Sequence, residues 1–126
     1  MSQIPRISDT EWEVMNILWG QSPLSAARVI AALQAADPSW NEQTVKTLLN
    51  RLMKKQALGY QKDGRAYLYR PLVGKQECVG AVSESFLTRV FGGSLQPLLA
   101  YFVESRKLSP AEIAELKRLI KRRDKK

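Results

Sequence analysis

Gln43, Thr44, Lys46, Thr47, Asn50, Arg51 and Lys54 fall within one short polar and basic run. Laid on a helix at about 100° per residue, Thr44, Thr47, Arg51 and Lys54 share one sector, flanked by Gln43, Lys46 and Asn50. Such a face suits a DNA major groove. Gln and Asn pair bidentately with adenine, Lys and Arg with guanine, and a threonine methyl meets the thymine methyl. Lys54 and Lys55, near the helix end, are better placed for phosphates. A merely solvated helix face would carry similar residues, so a second sign is needed. Tyr60–Arg70 supplies it as a basic hairpin, in which Arg65 sits beside the turn and can reach a phosphate or a minor groove. Arg65, Tyr67 and Tyr69 alternate onto one face. Tyr67 can touch DNA or pack as an ordinary sheet residue, and Tyr69 reads as structural. Asn41–Arg70 holds seven cations against two acids, a net +5, whereas residues 1–40 hold two cations against four acids, a net −2. That asymmetry puts a cationic surface on one short unit, where a polyanion such as DNA docks.

Other chemistries are poorly served. The chain has no histidine and a single cysteine, Cys78. It therefore lacks the ligands for a zinc site, a general-base histidine and any intrachain disulfide. Neither a GxSxG elbow nor a P-loop occurs. Acidic pairs such as Glu112 and Glu115 are explained by the preference of helix starts for negative charge. No enzyme, metal or cofactor is expected, and Cys78 reads as a buried thiol at helical spacing from Val82. With 44% hydrophobic and 25% charged residues over 126 positions, the chain has the composition of a globular protein. Met1–Ser8 has no apolar core, and no run approaches the roughly 18 apolar residues of a membrane helix. The expectation is a cytoplasmic protein without membrane insertion.

The elements that must carry the polar face can be read from caps and periodicity. Ser8-Asp9-Thr10-Glu11 has the form of a capping box. Trp12, Val14, Met15, Leu18 and Trp19 then continue a first helix to about Trp19, with Gly20 as a left-handed stop. Both tryptophans read as core. Ser25 caps a second helix to about Ala35, buried through Ala26, Val29, Ile30 and Leu33. After Asp37-Pro38-Ser39, Trp40 precedes the N-cap Asn41. Trp40 packs either between the hairpin and the third helix or near a DNA backbone, with a core position the better reading. The third helix runs from Glu42 to about Ala57 on a stripe of Val45, Leu48, Leu49, Leu52 and Met53, and Gly59 ends it. Asp63-Gly64 marks a two-residue hairpin turn, and Pro71 closes the second strand. Three helices followed by a hairpin are the order of a winged helix-turn-helix.

From Val73 the character changes. Three more helices are predicted, over about Lys75–Phe91, Leu95–Glu104 and, behind the cap Ser109-Pro110-Ala111-Glu112, to a frayed basic tail at Lys121–Lys126. Val79, Val82, Phe86, Leu87 and Val90 should point inward on the first of them, and Ile113, Leu116, Leu119 and Ile120 on the last. So short a segment cannot bury this much apolar side chain alone. Phe86, Leu87, Phe91, Leu98, Leu99, Phe102, Leu116 and Ile120 need a partner surface. Docking on the N-terminal unit is one solution. Pairing with a second copy also supplies two DNA-reading heads. The fold class is mostly α with a small β-hairpin: a winged helix-turn-helix domain over 1–72 and a helical dimerisation domain over 73–126.

These residues also carry a family resemblance. Ile7–Trp19 resembles the opening of the penicillinase repressor family (BlaI, MecI and CopY), and Thr44–Lys55 its recognition helix. Tyr67-Leu68-Tyr69 and Phe86-Leu87 with Phe91-Gly92-Gly93 are similar as well, so the likeness covers nearly the whole chain in register. It implies a homodimeric winged-helix repressor that blocks transcription from a double-stranded dyad operator, often with TACA/TGTA half-sites. Thr44, Thr47, Arg51 and Lys46 would carry recognition, and the C-terminal helices the dimer interface. The copper-responsive branch ends in a Cys-x-Cys pair, whereas this chain ends Lys-Arg-Arg-Asp-Lys-Lys, which speaks against copper sensing. The β-lactam-responsive branch is cleaved at an Asn-Phe bond by the pathway of a membrane sensor protease. The matching bond here is Tyr101-Phe102, with the phenylalanine kept and its neighbour changed. Two rival readings stand beside the repressor: a non-specific DNA binder and a winged-helix protein-interaction module.

Overall fold

A computed structural model of the chain describes residues 4–124. In order, the elements are α1 (Asp9–Gly20), β1 (Leu24–Ser25), α2 (Ala26–Ala36), α3 (Glu42–Lys54), β2 (Leu58–Asp63), β3 (Ala66–Pro71), α4 (Lys75–Phe91), α5 (Leu95–Glu104) and α6 (Pro110–Asp124). The chain divides into two compact units, Met1–Val82 and Ser83–Lys126.

The first three helices start where their polar caps dictate. Ser8 closes a full capping box with Glu11. The Ser25 hydroxyl accepts from the Arg28 N–H at 3.2 Å. The Asn41 carboxamide oxygen accepts from Gln43 and Thr44 N–H at 2.8 and 3.2 Å. Each cap supplies an acceptor to first-turn amides that have no partner within the helix. Behind the caps, Val14, Met15, Leu18, Val29, Ile30, Leu33, Val45, Leu48, Leu49 and Leu52 close one aliphatic core.

The helix ends depart from expectation. Gly20 is not left-handed; α1 stops because Gln21 turns extended at φ −153°, its N–H still bonded to the Ile17 carbonyl. α3 ends at Lys54 rather than near Ala57, and Gly59 plays no part in ending it. Gln56 takes the left-handed position at φ +64°, its N–H bonded to the Met53 carbonyl, while the Ala57 N–H reaches the Leu52 carbonyl at 2.9 Å. This is a Schellman closure with glutamine where glycine is usual. Gly59 serves packing instead: a Cβ there would stand 3.0 Å from a Leu72 methyl.

The sheet has three strands in the order β1-β3-β2, all antiparallel, rather than a lone hairpin. Leu24 pairs with Tyr69 and Ser25 with Leu68. Two residues are too few to show alternation, so β1 has no periodic signal in the sequence. The hairpin loop is Gly64-Arg65, not Asp63-Gly64, since Asp63 pairs with Ala66. Gly64 has φ +66° and Arg65 does not share the positive φ, the pattern of a loop with glycine at its first position. Tyr60 therefore lies opposite Tyr69. The order α1-β1-α2-α3-β2-β3 is a winged helix-turn-helix.

The Trp12 and Trp19 rings, half-buried against this core, lie 5.4 Å apart, and Trp19 Nε1 donates to the Val73 carbonyl at 2.9 Å. Trp40 also packs on the core. It sits not at the hairpin but beside a groove with Asp9, Ile17, Leu33 and Thr44. The first turn of α4 belongs to this unit through the buried Cys78. Burial pushes the Cys78 thiol up, and the neighbouring Glu77 adds to the shift.

In the second unit, α5 and α6 bury no residue among those described. Val82, Phe86 and Val90 on α4, expected inward, stand exposed in the single chain. Ring pairs, Phe86 with Phe91 and Tyr101 with Phe102, tie apolar groups locally. The Ser109 and Glu112 cap forms in both directions at 3.0 and 3.1 Å. The tail is helical as far as Asp124 rather than frayed from Lys121, and Lys125 and Lys126 lie outside the described residues.

Candidate nucleic-acid interface

The buried stripe of α3 leaves its opposite face to solvent. Gln43, Thr44, Lys46, Asn50, Arg51 and Lys54 are exposed and Thr47 half-exposed. They form one continuous surface, as the helical projection requires, backed by Val45, Leu48, Leu49 and Leu52. The Thr47 hydroxyl donates to the Gln43 carbonyl at 3.0 Å. Its proton is thus used within the helix, and its methyl and free lone pair are what it can offer a base. Arg51 and Lys54 occupy the last turn, where the helix dipole favours cations, and Glu42 the first. No acid partners the ammonium or guanidinium of Lys46, Arg51 or Lys54 among the described residues, so their charge is available to an anion.

The wing adds a second surface. Arg65 stands exposed in the loop, one residue before β3 begins, so the alternation starts at Tyr67. Tyr67 meets Tyr60 edge-on with ring centroids 4.8 Å apart. Lys62 Nζ lies 5.7 Å from the Tyr67 ring centre, within cation–π range. Tyr60, Tyr67 and Tyr69 share a concavity of about 190 Å³ with Asn50 and Met53 of α3. α3 and the wing therefore present one joined surface rather than two. Tyr69 is half-buried on the core, as expected. Burial pushes its phenol up, with Tyr67 and Tyr60 adding to the shift.

The residue pattern alone gives Tyr60 and Lys62 no role at this surface and puts Lys55 at a phosphate. Tyr60 was discoverable: a loop of Gly64-Arg65 brings it opposite Tyr69 and diagonal to Tyr67. Lys55 is otherwise engaged. Its ammonium donates to Glu11 Oε1 at 2.5 Å and to the Arg6 carbonyl at 2.7 Å. Burial works against the charged form of Glu11, but hydrogen bonds from Lys55 and Ser8 outweigh it and hold the carboxyl below its usual range. Nothing in the local sequence joins Glu11 to a residue 44 positions away.

Comparison with known proteins agrees with this geometry. The sequence profile of the penicillinase repressor family matches residues 7–122. The penicillinase repressor of Bacillus licheniformis is 38% identical over 120 residues, covering 95% of this chain and 93% of its own. The methicillin resistance regulatory protein MecI of Staphylococcus aureus (strain N315) is 35% identical over 117 residues, covering 93% and 94%. The solution structure of the DNA-binding domain of the repressor BlaI superposes with a TM-score of 0.54 at 39% identity, covering 61% of this chain and 93% of that one. The monomeric form of B. licheniformis BlaI, solved in complex with the blaP half-operator, gives 0.52 at 38% identity with the same coverage. A winged-helix head with these relatives defines a class of transcriptional repressors rather than enzymes. The chain belongs to the penicillinase repressor family.

Proposed function

We propose that the chain represses transcription as a cytoplasmic homodimer that binds a dyad operator sequence-specifically. The observation that carries this is the α3 face, continuous with the wing, in a head similar to one solved on operator DNA. α3 enters the major groove with Gln43, Thr44, Lys46, Thr47, Asn50 and Arg51 toward base edges. Lys54 at its end, and Arg65 and Tyr67 on the wing, meet the backbone. The division falls at the change of character near Val73, with 1–72 reading DNA and 73–126 joining two copies. Phe86, Leu87, Phe91, Leu98, Leu99, Phe102, Leu116 and Ile120 form the pairing surface, supported by how much of it a single chain leaves in water. Among the described residues no helix is long and apolar enough to cross a membrane.

Binding to DNA from upstream of the chain's own gene and to a scrambled duplex, followed by fluorescence anisotropy at two salt concentrations, tests the reading. Selective binding near physiological salt is the expected result. Equal binding to both duplexes would replace the repressor with a non-specific binder. No binding to either would transfer the winged helix to a protein partner.

Release of the operator by proteolysis belongs to the same reading, with a membrane sensor protease as partner and Tyr101-Phe102 as the bond cut. Mass spectrometry of the chain from induced cells should show a fragment ending at Tyr101. An intact chain under full induction would rule this route out.

A further inference from the structure

Glu11 is only 1% exposed, a charged side chain in a core that is otherwise apolar among the described residues. Its local role, closing the cap of α1, engages Oε1 with the Ser8 N–H at 2.8 Å. The same oxygen takes the Lys55 ammonium at 2.5 Å, and that ammonium also donates to the Arg6 carbonyl. Three pieces of chain thus meet at one carboxylate: the segment before α1, the first turn of α1 and the C-cap of α3. A carboxylate held out of water requires such partners.

Lys55 is otherwise placed for DNA. On an ideal helix it stands about 40° round from Arg51, immediately after Lys54. Its side chain remains 35% exposed, against 2% for Glu11. Left free, it would add a cation at the rim of the reading face. Instead its charge is turned onto Glu11.

We propose that Glu11 is a positioning residue for DNA binding: through its ion pair with Lys55 it withholds that cation from the phosphate backbone and fixes the C-terminal end of α3 against α1. The inference rests on the DNA-binding reading above. Two adjacent lysines then have different duties, Lys54 in the electrostatic contact and Lys55 in the frame that aims it.

Affinity of the full chain for the upstream duplex, measured across a salt series, separates these duties. Each phosphate neutralised contributes about −0.9 to the slope of log affinity against log salt. Lys54→Ala should flatten the slope by about that amount, and Lys55→Met should leave it at the wild-type value. Glu11→Gln keeps an acceptor for the Ser8 N–H but frees Lys55, so the slope should steepen by about 0.9. A merely structural ion pair would not produce that change. Glu11→Gln combined with Lys55→Met strands no charge in the interior, keeps a folded head available and should retain the wild-type slope. An unchanged slope in Glu11→Gln, or a flattened one in the double variant, overturns the proposal and leaves DNA binding standing. Failure of the wild-type chain to bind either the upstream or the scrambled duplex overturns the DNA reading and this proposal with it.

Discussion

The two units of this chain spend their apolar residues in opposite ways. In the first, four aliphatic side chains of α3 are buried together with those of α1 and α2, and the polar face is what remains outside. In the second, α5 and α6 bury nothing among the described residues, while Phe102 and Ile120 keep 38% and 61% of their surface. The helices of both are locally well specified. What differs is closure. A head of three helices and a small sheet can surround its own core, whereas the 44 residues from Ser83, which hold α5, α6 and only the second half of α4, expose too much surface relative to volume to do so. One unit buries its apolar side chains within the single chain, and the other leaves many of its own in water.

Truncations at matched apolar positions test that contrast most strongly. Leu52→Ala, in the head's interior, should cost about 2–5 kcal/mol of stability, read as a lower midpoint in urea unfolding. The same kind of truncation at Phe102 should leave the head's unfolding unchanged and move the sedimentation coefficient toward that of one chain. Unaltered association of Phe102→Ala would put the pairing surface elsewhere.

Arg51→Ala should weaken operator binding by about 1–3 kcal/mol and scrambled DNA by less. Equal losses on both would reassign Arg51 from base to phosphate.

Helix caps give a finer contrast between the units. Asn41 accepts two amides at the start of α3, whereas Ser94 makes no side-chain cap bond at α5. Asn41→Ala should therefore cost about 0.5–2 kcal/mol and Ser94→Ala under about 0.5. Similar losses by chemical denaturation would show that the cap geometry does not separate them.

The smallest effect concerns acid. The folded carboxyl of Glu11 lies below its ordinary value of 4.5. Its contribution is therefore fully present above that value and is lost as pH falls through the lower, folded one. Stability measured across that interval should fall less steeply in Glu11→Gln than in the wild type. Identical slopes would remove Glu11 from the acid response.

Much of this was legible in one dimension because it depends on neighbours in sequence. The caps at Ser8, Ser25, Asn41 and Ser109, the apolar stripe of α3 and the polar face opposite it are matters of three and four residue spacing. So too are the bounds of α4 and α5. Glycine misled where it was read as punctuation: Gly20 and Gly59 stop nothing, and Gln56 takes the strained turn that a glycine was expected to hold. The surrounding contacts, an Ala57 amide on the Leu52 carbonyl among them, over-determine that backbone.

Which faces are apolar, where helices begin and which surface is cationic all follow from residue order alone, through the period of the helix and the chemistry of its first turn. Packing in three dimensions settled that β1 joins the sheet, that Tyr60 shares a concavity with α3 and that Lys55 turns to Glu11. Those outcomes join residues far apart in the chain. Their energy comes from desolvation and pairing at a place that exists only once the helices have packed.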